Sequence, residues 1–131
     1  MDEAKTVISV GEKPTATSVA ANEELPVNME QLRLFTDGNP AEEKALFDLF
    51  MEQAQEMLVI LKQSTSADKS AAWKSAAHRF KGSSGNLGAN KLHLICKKAE
   101  AHFEDNDARK TQILADIEQE MNRVRVFFAA A

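Results

Sequence analysis

The chain has 131 residues, a formal net charge of −4 and a single cysteine, so it can hold one core of roughly 100 residues plus a tail, but no internal disulfide. No apolar run approaches the roughly 20 residues that cross a bilayer, and the opening Met1-Asp2-Glu3 lacks the basic start of a signal peptide. We therefore expect one soluble, cytoplasmic domain that does not associate with a membrane.

The charge is unevenly distributed along the chain. Residues 68–98 contain seven basic residues and one acidic residue, so the remainder is strongly acidic. Such a basic segment suits an acidic partner or a transferred anion, although an ordinary solvated helix surface has the same composition. Nucleic acid is not the expected partner, because the chain is acidic overall and has no dense basic stripe with interleaved aromatic residues.

The first 27 residues differ in composition from the rest of the chain. Residues 1–27 are rich in Ala, Thr, Ser, Val and Glu, contain Pro14 and Pro26, and show no sustained helical stripe. This composition predicts a disordered tail or linker. A short apolar stretch from Met29 to Phe35 then predicts a short helix, so we expect a helical unit over residues 28–131.

Four longer amphipathic segments follow. Asn39-Pro40 resembles a helix start, with a side-chain cap and a first-turn proline, and predicts a helix over about 40–63. The second helix should begin near Ser66 to Asp68 and end at Gly88. The residues expected in the core are Phe47, Phe50, Ala54, Met57, Leu58 and Leu61, then Trp73, Ala76, Ala77, Phe80, Ser84 and Leu87, then Leu92, Ile95, Cys96, Ala99 and Phe103, and finally Leu114, Ile117, Met121, Val124 and Phe128. These spacings predict an all-α fold, an antiparallel up-down-up-down four-helix bundle with a short extra N-terminal helix.

The segment around His78 is the most informative for function. Residues three, four and seven apart share a helix face, so His78, Lys81, Gly82 and Gly85 should form one patch that points away from the core position Trp73. Glycine inside a helix costs up to ~1 kcal/mol relative to alanine. Two glycines on one exposed face therefore indicate close approach by another molecule.

The chemistry of this patch suits phosphoryl transfer. A neutral imidazole is a good nucleophile near cellular pH, and its second nitrogen can release a proton as the first attacks. Lys81 could offset the phosphoryl charge, and Lys74 and Arg79 would raise the local positive potential. Gly82 and Gly85 would let a second active site close over the group.

The remaining candidate residues have plainer interpretations. His93 and His102 lack a following Lys-Gly pair, and we interpret both as surface or boundary residues. His93 and Cys96 lie one turn apart, but two ligands do not make a zinc site, so no metal is expected. Ser83 and Ser84 have no Gly-x-Ser-x-Gly elbow, so helix packing or local capping is expected of them.

The whole run resembles the histidine-containing phosphotransfer (HPt) domains of bacterial-type multistep phosphorelays. The family pattern is a histidine, two residues, Lys-Gly-Ser-Ser or Lys-Gly-Ser-Ala, and a Gly-Ala a few positions on. This sequence has His78-Arg79-Phe80-Lys81-Gly82-Ser83-Ser84 followed by Asn86-Leu87-Gly88-Ala89, and the likeness continues to Leu92, Cys96 and Glu100. It covers about residues 28–128.

The resemblance implies that His78 accepts a phosphoryl group from an aspartate of one receiver domain and passes it to another. Lys81 and Gly82 match the family's phosphoryl-neutralising lysine and clearance glycine. The resemblance also implies a carrier rather than an enzyme, without a nucleotide site, metal or other cofactor of its own, because the receiver brings the Mg²⁺ and the acidic pocket.

The expected partners are receiver domains of response regulators, of hybrid sensor kinases, or of both, and a monomer is expected because the carrier must offer one face to successive partners. The residues expected at the docking surface around the histidine are Lys74, Ser75, Arg79, Gly82 and Gly85. Two alternatives stay open at this point. One is a module that binds a receiver or kinase without being phosphorylated, and the other is an enzyme with His78 as general base, which lacks a carboxylate partner close in sequence.

Overall fold

The computed structural model describes residues 25–130. The elements are α1 (Met29–Thr36), α2 (Pro40–Lys62), a 3-10 turn (Ala67–Lys69), α3 (Ser70–Leu87), α4 (Asn90–Ala101) and α5 (Asp107–Ala130). The described residues contain no β-strand, which confirms the predicted all-α class. None of the helices in this part of the chain is both long enough and apolar enough to span a membrane.

Helices α2 to α5 form the predicted four-helix bundle. Each packs against the next helix along the chain, and α2 also packs against α5, which closes the ring. The connections are short, so successive helices run antiparallel. Helix α1 contacts α2 and α3 at one end of the bundle, as the short extra helix of the prediction.

The start of α2 follows the sequence prediction closely. The Asn39 side chain accepts hydrogen bonds from the backbone N–H groups of Ala41 and Glu42 at 2.9 and 3.2 Å. Pro40, which has no N–H to satisfy, occupies the first helical position. These local preferences set the boundary without help from tertiary contacts.

Helix α3 begins later than the sequence predicted. The Ser66 hydroxyl donates to the Asp68 carboxylate at 2.6 Å and does not cap a backbone N–H group. Residues 67–69 therefore form a 3-10 turn, and the α-helix starts at Ser70. This difference shortens α3 at the end that is remote from its glycines.

The turn between α3 and α4 is held by the N-terminal segment. Gly88 adopts a left-handed conformation with φ of 86°, and a Cβ at this position would lie 2.9 Å from the carbonyl oxygen of Asn28. The backbone N–H of Asn28 donates to the Gly88 carbonyl at 2.8 Å. Val27, next to Asn28, is fully buried against this turn and the core. The predicted disordered tail otherwise falls on residues 1–24, which lie outside the described residues.

The buried face of each bundle helix agrees well with the predicted spacing. All six positions expected in α3 are buried. Phe47 and Phe128 are half-buried and stack on one another with ring centroids 4.4 Å apart. In α1 the apolar residues Leu34 and Phe35 are 80% and 64% exposed, because α1 lies on the end of the bundle and buries only one side.

Two charged residues of α5 are buried although their types do not predict it. Lys110 is fully buried, its Nζ lies 5.3 Å from the centroid of the Trp73 ring, and it has no hydrogen-bond partner among the described residues. Glu120 is 2% exposed, and one of its carboxylate oxygens accepts a hydrogen bond from Arg123 at 2.9 Å. Lys110 is four residues before Leu114, so it continues the core stripe of α5 with a basic residue.

Candidate functional site

Helix α3 presents the predicted patch to solvent. The Trp73 and Phe80 side chains of α3 are completely buried. His78 lies on the opposite side of the helix, with 65% of its side chain exposed. Lys81, one turn further along, is 25% exposed and lies beside it. The apolar periodicity of α3 therefore projects the histidine outward, as the sequence predicted.

Glu100 of α4 joins His78 and Lys81. One of its oxygens, Oε2, lies 3.0 Å from Nδ1 of His78, and the other, Oε1, lies 2.7 Å from Nζ of Lys81. The Glu100 side chain is only 20% exposed, so both contacts are partly shielded from water. This carboxylate holds the histidine and the lysine in one cluster.

The two contacts change the acidity of Glu100. The hydrogen bond from Lys81 is the largest cause that lowers the pKa of this carboxyl below its ordinary value. Partial burial opposes the change, whereas the hydrogen bond from His78 and the positive charges of both partners lower the pKa further. Glu100 is therefore an anion at neutral pH.

The ionised Glu100 determines which nitrogen of His78 is free. A carboxylate only accepts hydrogen bonds, so Nδ1 of His78 carries the proton that lies between them. In the neutral imidazole the lone pair is then on Nε2, which is not engaged by Glu100. The outer ring nitrogen of an exposed histidine is thus available as a nucleophile.

The two glycines of the patch differ in their surroundings. A Cβ at Gly82 would meet no atom within 4 Å, so this position is open to solvent. A Cβ at Gly85 would lie 3.1 Å from Nδ1 of His93, in close contact with the imidazole ring. Gly82 therefore fits the expected clearance for a partner, whereas the immediate neighbour of Gly85 belongs to the same chain.

A groove beside His78 brings together the other expected docking residues. It encloses about 490 Å³ between α3 and the end of α4. Nζ of Lys74 lies over the Phe103 ring, 4.5 Å from its centroid, in a cation–π arrangement. The lining residues are Ser70, Ala71, Lys74, Ser75, His78, Arg79, Glu100 and Phe103.

The other two histidines have internal partners. His102 Nδ1 lies 2.8 Å from Oδ2 of Asp105 in the turn after α4. His93 is half-buried and its Nδ1 lies 2.9 Å from the backbone carbonyl oxygen of Lys81.

Burial raises the pKa of the Cys96 thiol to about 12, so it stays protonated. Residues 25–130 contain no group of three or more His, Cys, Asp or Glu side chains that could hold a metal ion.

The sequence predictions did not assign a site role to Glu100, although it belongs to the resemblance. A usable signal was its distance from the α3–α4 turn. In an antiparallel helical hairpin, residues at similar distances from the turn lie side by side, and His78 and Glu100 are 10 and 12 residues from Gly88. An acidic residue at that distance was a candidate partner for the basic patch.

Ser84 has the local packing role that the sequence predicted, since its hydroxyl donates to the Phe80 carbonyl at 2.8 Å.

This chain is similar to proteins of known family and structure. A protein-family model described as "Hpt domain" matches residues 45–127, which include all of α3 and α4. The chain is also similar to a crystal structure of histidine-containing phosphotransfer protein B (HptB) from Pseudomonas aeruginosa PAO1, with 27% sequence identity and a TM-score of 0.72. That match covers 82% of this chain and 94% of the other. No curated protein sequence matches this chain.

Proposed function

Because the chain belongs to the Hpt domain family and is a histidine phosphotransfer intermediate of phosphorelays, we propose that His78 is the residue that carries the phosphoryl group. The observation that supports this assignment most directly is the contact between Nδ1 of His78 and Glu100, which leaves Nε2 free on an exposed face. Neither His93 nor His102 combines this exposure with a neighbouring lysine and an open glycine.

The proposed reaction begins with an aspartyl phosphate on a receiver domain. Nε2 of His78 attacks phosphorus, a nitrogen–phosphorus bond forms, and the bond from phosphorus to the aspartate oxygen breaks, so the receiver's carboxylate leaves with the electron pair. Glu100 holds the Nδ1 proton and its charge balances the developing imidazolium. Transfer to a second receiver reverses these bonds, and neutral imidazole is the leaving group.

Lys81 and Gly82 are proposed to serve the phosphoryl group itself. The ammonium of Lys81 lies next to the histidine and can pair with phosphoryl oxygens. The open position of Gly82 leaves room for the rim of a receiver active site. Transfer through such a transition state depends chiefly on positioning and charge neutralisation, which these two residues supply from the carrier's side.

The partner is proposed to complete the chemistry. The basic groove with Lys74, Ser75 and Arg79 is complementary to an acidic receiver pocket. The receiver's Mg²⁺ would supply further neutralisation of the phosphoryl charge. On this proposal the chain is a carrier without a metal or cofactor of its own, not an autonomous enzyme. A monomer in the cytoplasm, with receivers of response regulators or hybrid kinases as partners, stays our prediction.

The assignment can be tested by incubating the purified chain with a phosphorylated receiver and following acid-labile label. Wild type and His102→Gln should accept the label, whereas His78→Gln should not, although all three keep their helical circular dichroism. Labelling of His78→Gln contradicts the assignment. A receiver that binds the wild type stably but never labels it would support the alternative of a regulatory binding module.

A further inference from the structure

Helix α4 contacts Lys81 at two separate points. The ammonium of Lys81 pairs with Glu100 at 2.7 Å, and the backbone carbonyl of Lys81 accepts a hydrogen bond from Nδ1 of His93 at 2.9 Å. A carbonyl only accepts, so Nδ1 of His93 carries a proton in this contact. His93 and Glu100 are seven residues apart and lie on one face of α4. The phosphoryl-neutralising lysine is thus held by its side chain and by its backbone.

Gly85 makes the backbone contact possible. Lys81 and Gly85 are four residues apart and share a face of α3, so the imidazole that reaches the Lys81 carbonyl must pass over residue 85. A Cβ at Gly85 would lie 3.1 Å from Nδ1 and 3.6 Å from Cε1 of that ring. The Gly85 carbonyl also accepts a hydrogen bond from Nε2 of Gln31 at 3.0 Å, so this turn is fixed from α1 as well.

We infer that His93 is a positioning residue for phosphotransfer, a role that rests on the proposed function of His78. Its hydrogen bond to the Lys81 carbonyl fixes the orientation of the α3 turn that carries Lys81 and Gly82, and the position of that turn relative to α4. The position of that turn determines where the Lys81 ammonium and the open surface at Gly82 meet the incoming phosphoryl group. His93 itself is half-buried and its Nδ1 is engaged by the Lys81 carbonyl, so it acts through Lys81 and does not touch the phosphoryl group.

A positioning role predicts effects on the labelling rate that a general loss of stability would not produce. His93→Leu has a side chain of similar bulk but no hydrogen-bond donor. His93→Asn retains an N–H donor bonded to Cγ, as Nδ1 is in histidine. His93→Leu should slow labelling from a phosphorylated receiver about tenfold, since small misplacements of reacting groups have effects of this size or larger. The receiver concentration that gives half-maximal rate should be unchanged, and His93→Asn should restore most of the rate.

The decisive measurement combines His93→Leu with Lys81→Ala. If His93 acts through Lys81, its replacement should have no further effect once the ammonium is absent, so the two effects are strongly non-additive. The rates are measured under conditions in which every variant retains the helical circular dichroism of the wild type, with His93→Ala in place of His93→Leu if the latter does not fold. His102→Leu, which changes a histidine whose ring nitrogen pairs with Asp105, is the matched control.

Several outcomes overturn the inference. They are a His93→Leu rate equal to wild type, a His93→Asn variant as slow as His93→Leu, and a full additional loss in the Lys81→Ala background. Failure of the proposed function looks different, because the wild-type chain would then take no label at His78 and the comparison of rates would not arise.

Discussion

Gly82 and Gly85 share one face of α3, yet the structure predicts different changes in melting temperature when each is replaced by alanine. A Cβ at Gly82 meets nothing within 4 Å, and alanine is favoured over glycine inside a helix by about 0.5–1 kcal/mol. A gain of 1 kcal/mol shifts the melting temperature of a domain of this size by about 4–8 °C. Gly82→Ala should therefore raise the melting temperature by about 2–8 °C.

Gly85→Ala should bring the same gain in helix propensity, but it also introduces a close contact with His93. The new Cβ would lie 3.1 Å from Nδ1 of His93, closer than ordinary van der Waals contact, and that atom is anchored at 2.9 Å from the Lys81 carbonyl. Moving the ring weakens a hydrogen bond worth about 1 kcal/mol, which offsets the propensity gain. The melting temperature should equal that of the wild type or fall below it.

Thermal unfolding followed by circular dichroism measures both effects, and receiver-dependent labelling tests the clearance role. Gly82→Leu should keep or raise the melting temperature and strongly reduce labelling, because its side chain would collide with a receiver that closes over His78. Undiminished labelling of Gly82→Leu contradicts the clearance role of Gly82. An increase in melting temperature for Gly85→Ala as large as that for Gly82→Ala would show that the contact with His93 costs nothing.

Three further predictions concern charged residues. Lys81→Ala should slow labelling most at low ionic strength, where charges are least screened, and change the melting temperature little, since a partly exposed ion pair contributes ~0–1 kcal/mol; equal rates at low salt would exclude a phosphoryl-contacting lysine. The lowered pKa of Glu100 means that its pairing contributes stability that is fully present above its ordinary value of 4.5 and is lost as the pH falls through the lower folded-state value. Glu100→Gln should therefore weaken the loss of stability in acid, measured by urea unfolding at several pH values, and an identical pH profile refutes this. Lys110→Met should raise the free energy of unfolding by about 1 kcal/mol, because it removes a buried amine without a hydrogen-bond partner; with the exposed Arg109→Met as control, a clear loss would show that the contact with Trp73 outweighs that cost.

Much of the fold follows from local patterns that the sequence displays directly. Asn39 and Pro40 start α2 through their own backbone and side-chain groups. The spacing from Trp73 to Leu87 sets the buried face of α3, and the same spacing turns His78 outward. These predictions held because helix periodicity and capping depend on residues within one or two turns of each other.

The side chains that contact His78 and Lys81 depend on how α3 and α4 pack against each other. Glu100 reaches both His78 and Lys81, and His93 reaches the Lys81 carbonyl, only at one axial offset and rotation of the two helices. Sliding one helix by a single turn of about 5.4 Å would replace every one of these contacts and still preserve both apolar stripes. The sequence by itself therefore predicted an exposed histidine, a lysine one turn away and an open helix face at Gly82. Core packing between the helices decided which carboxylate orients the histidine, and why residue 85 has no side chain.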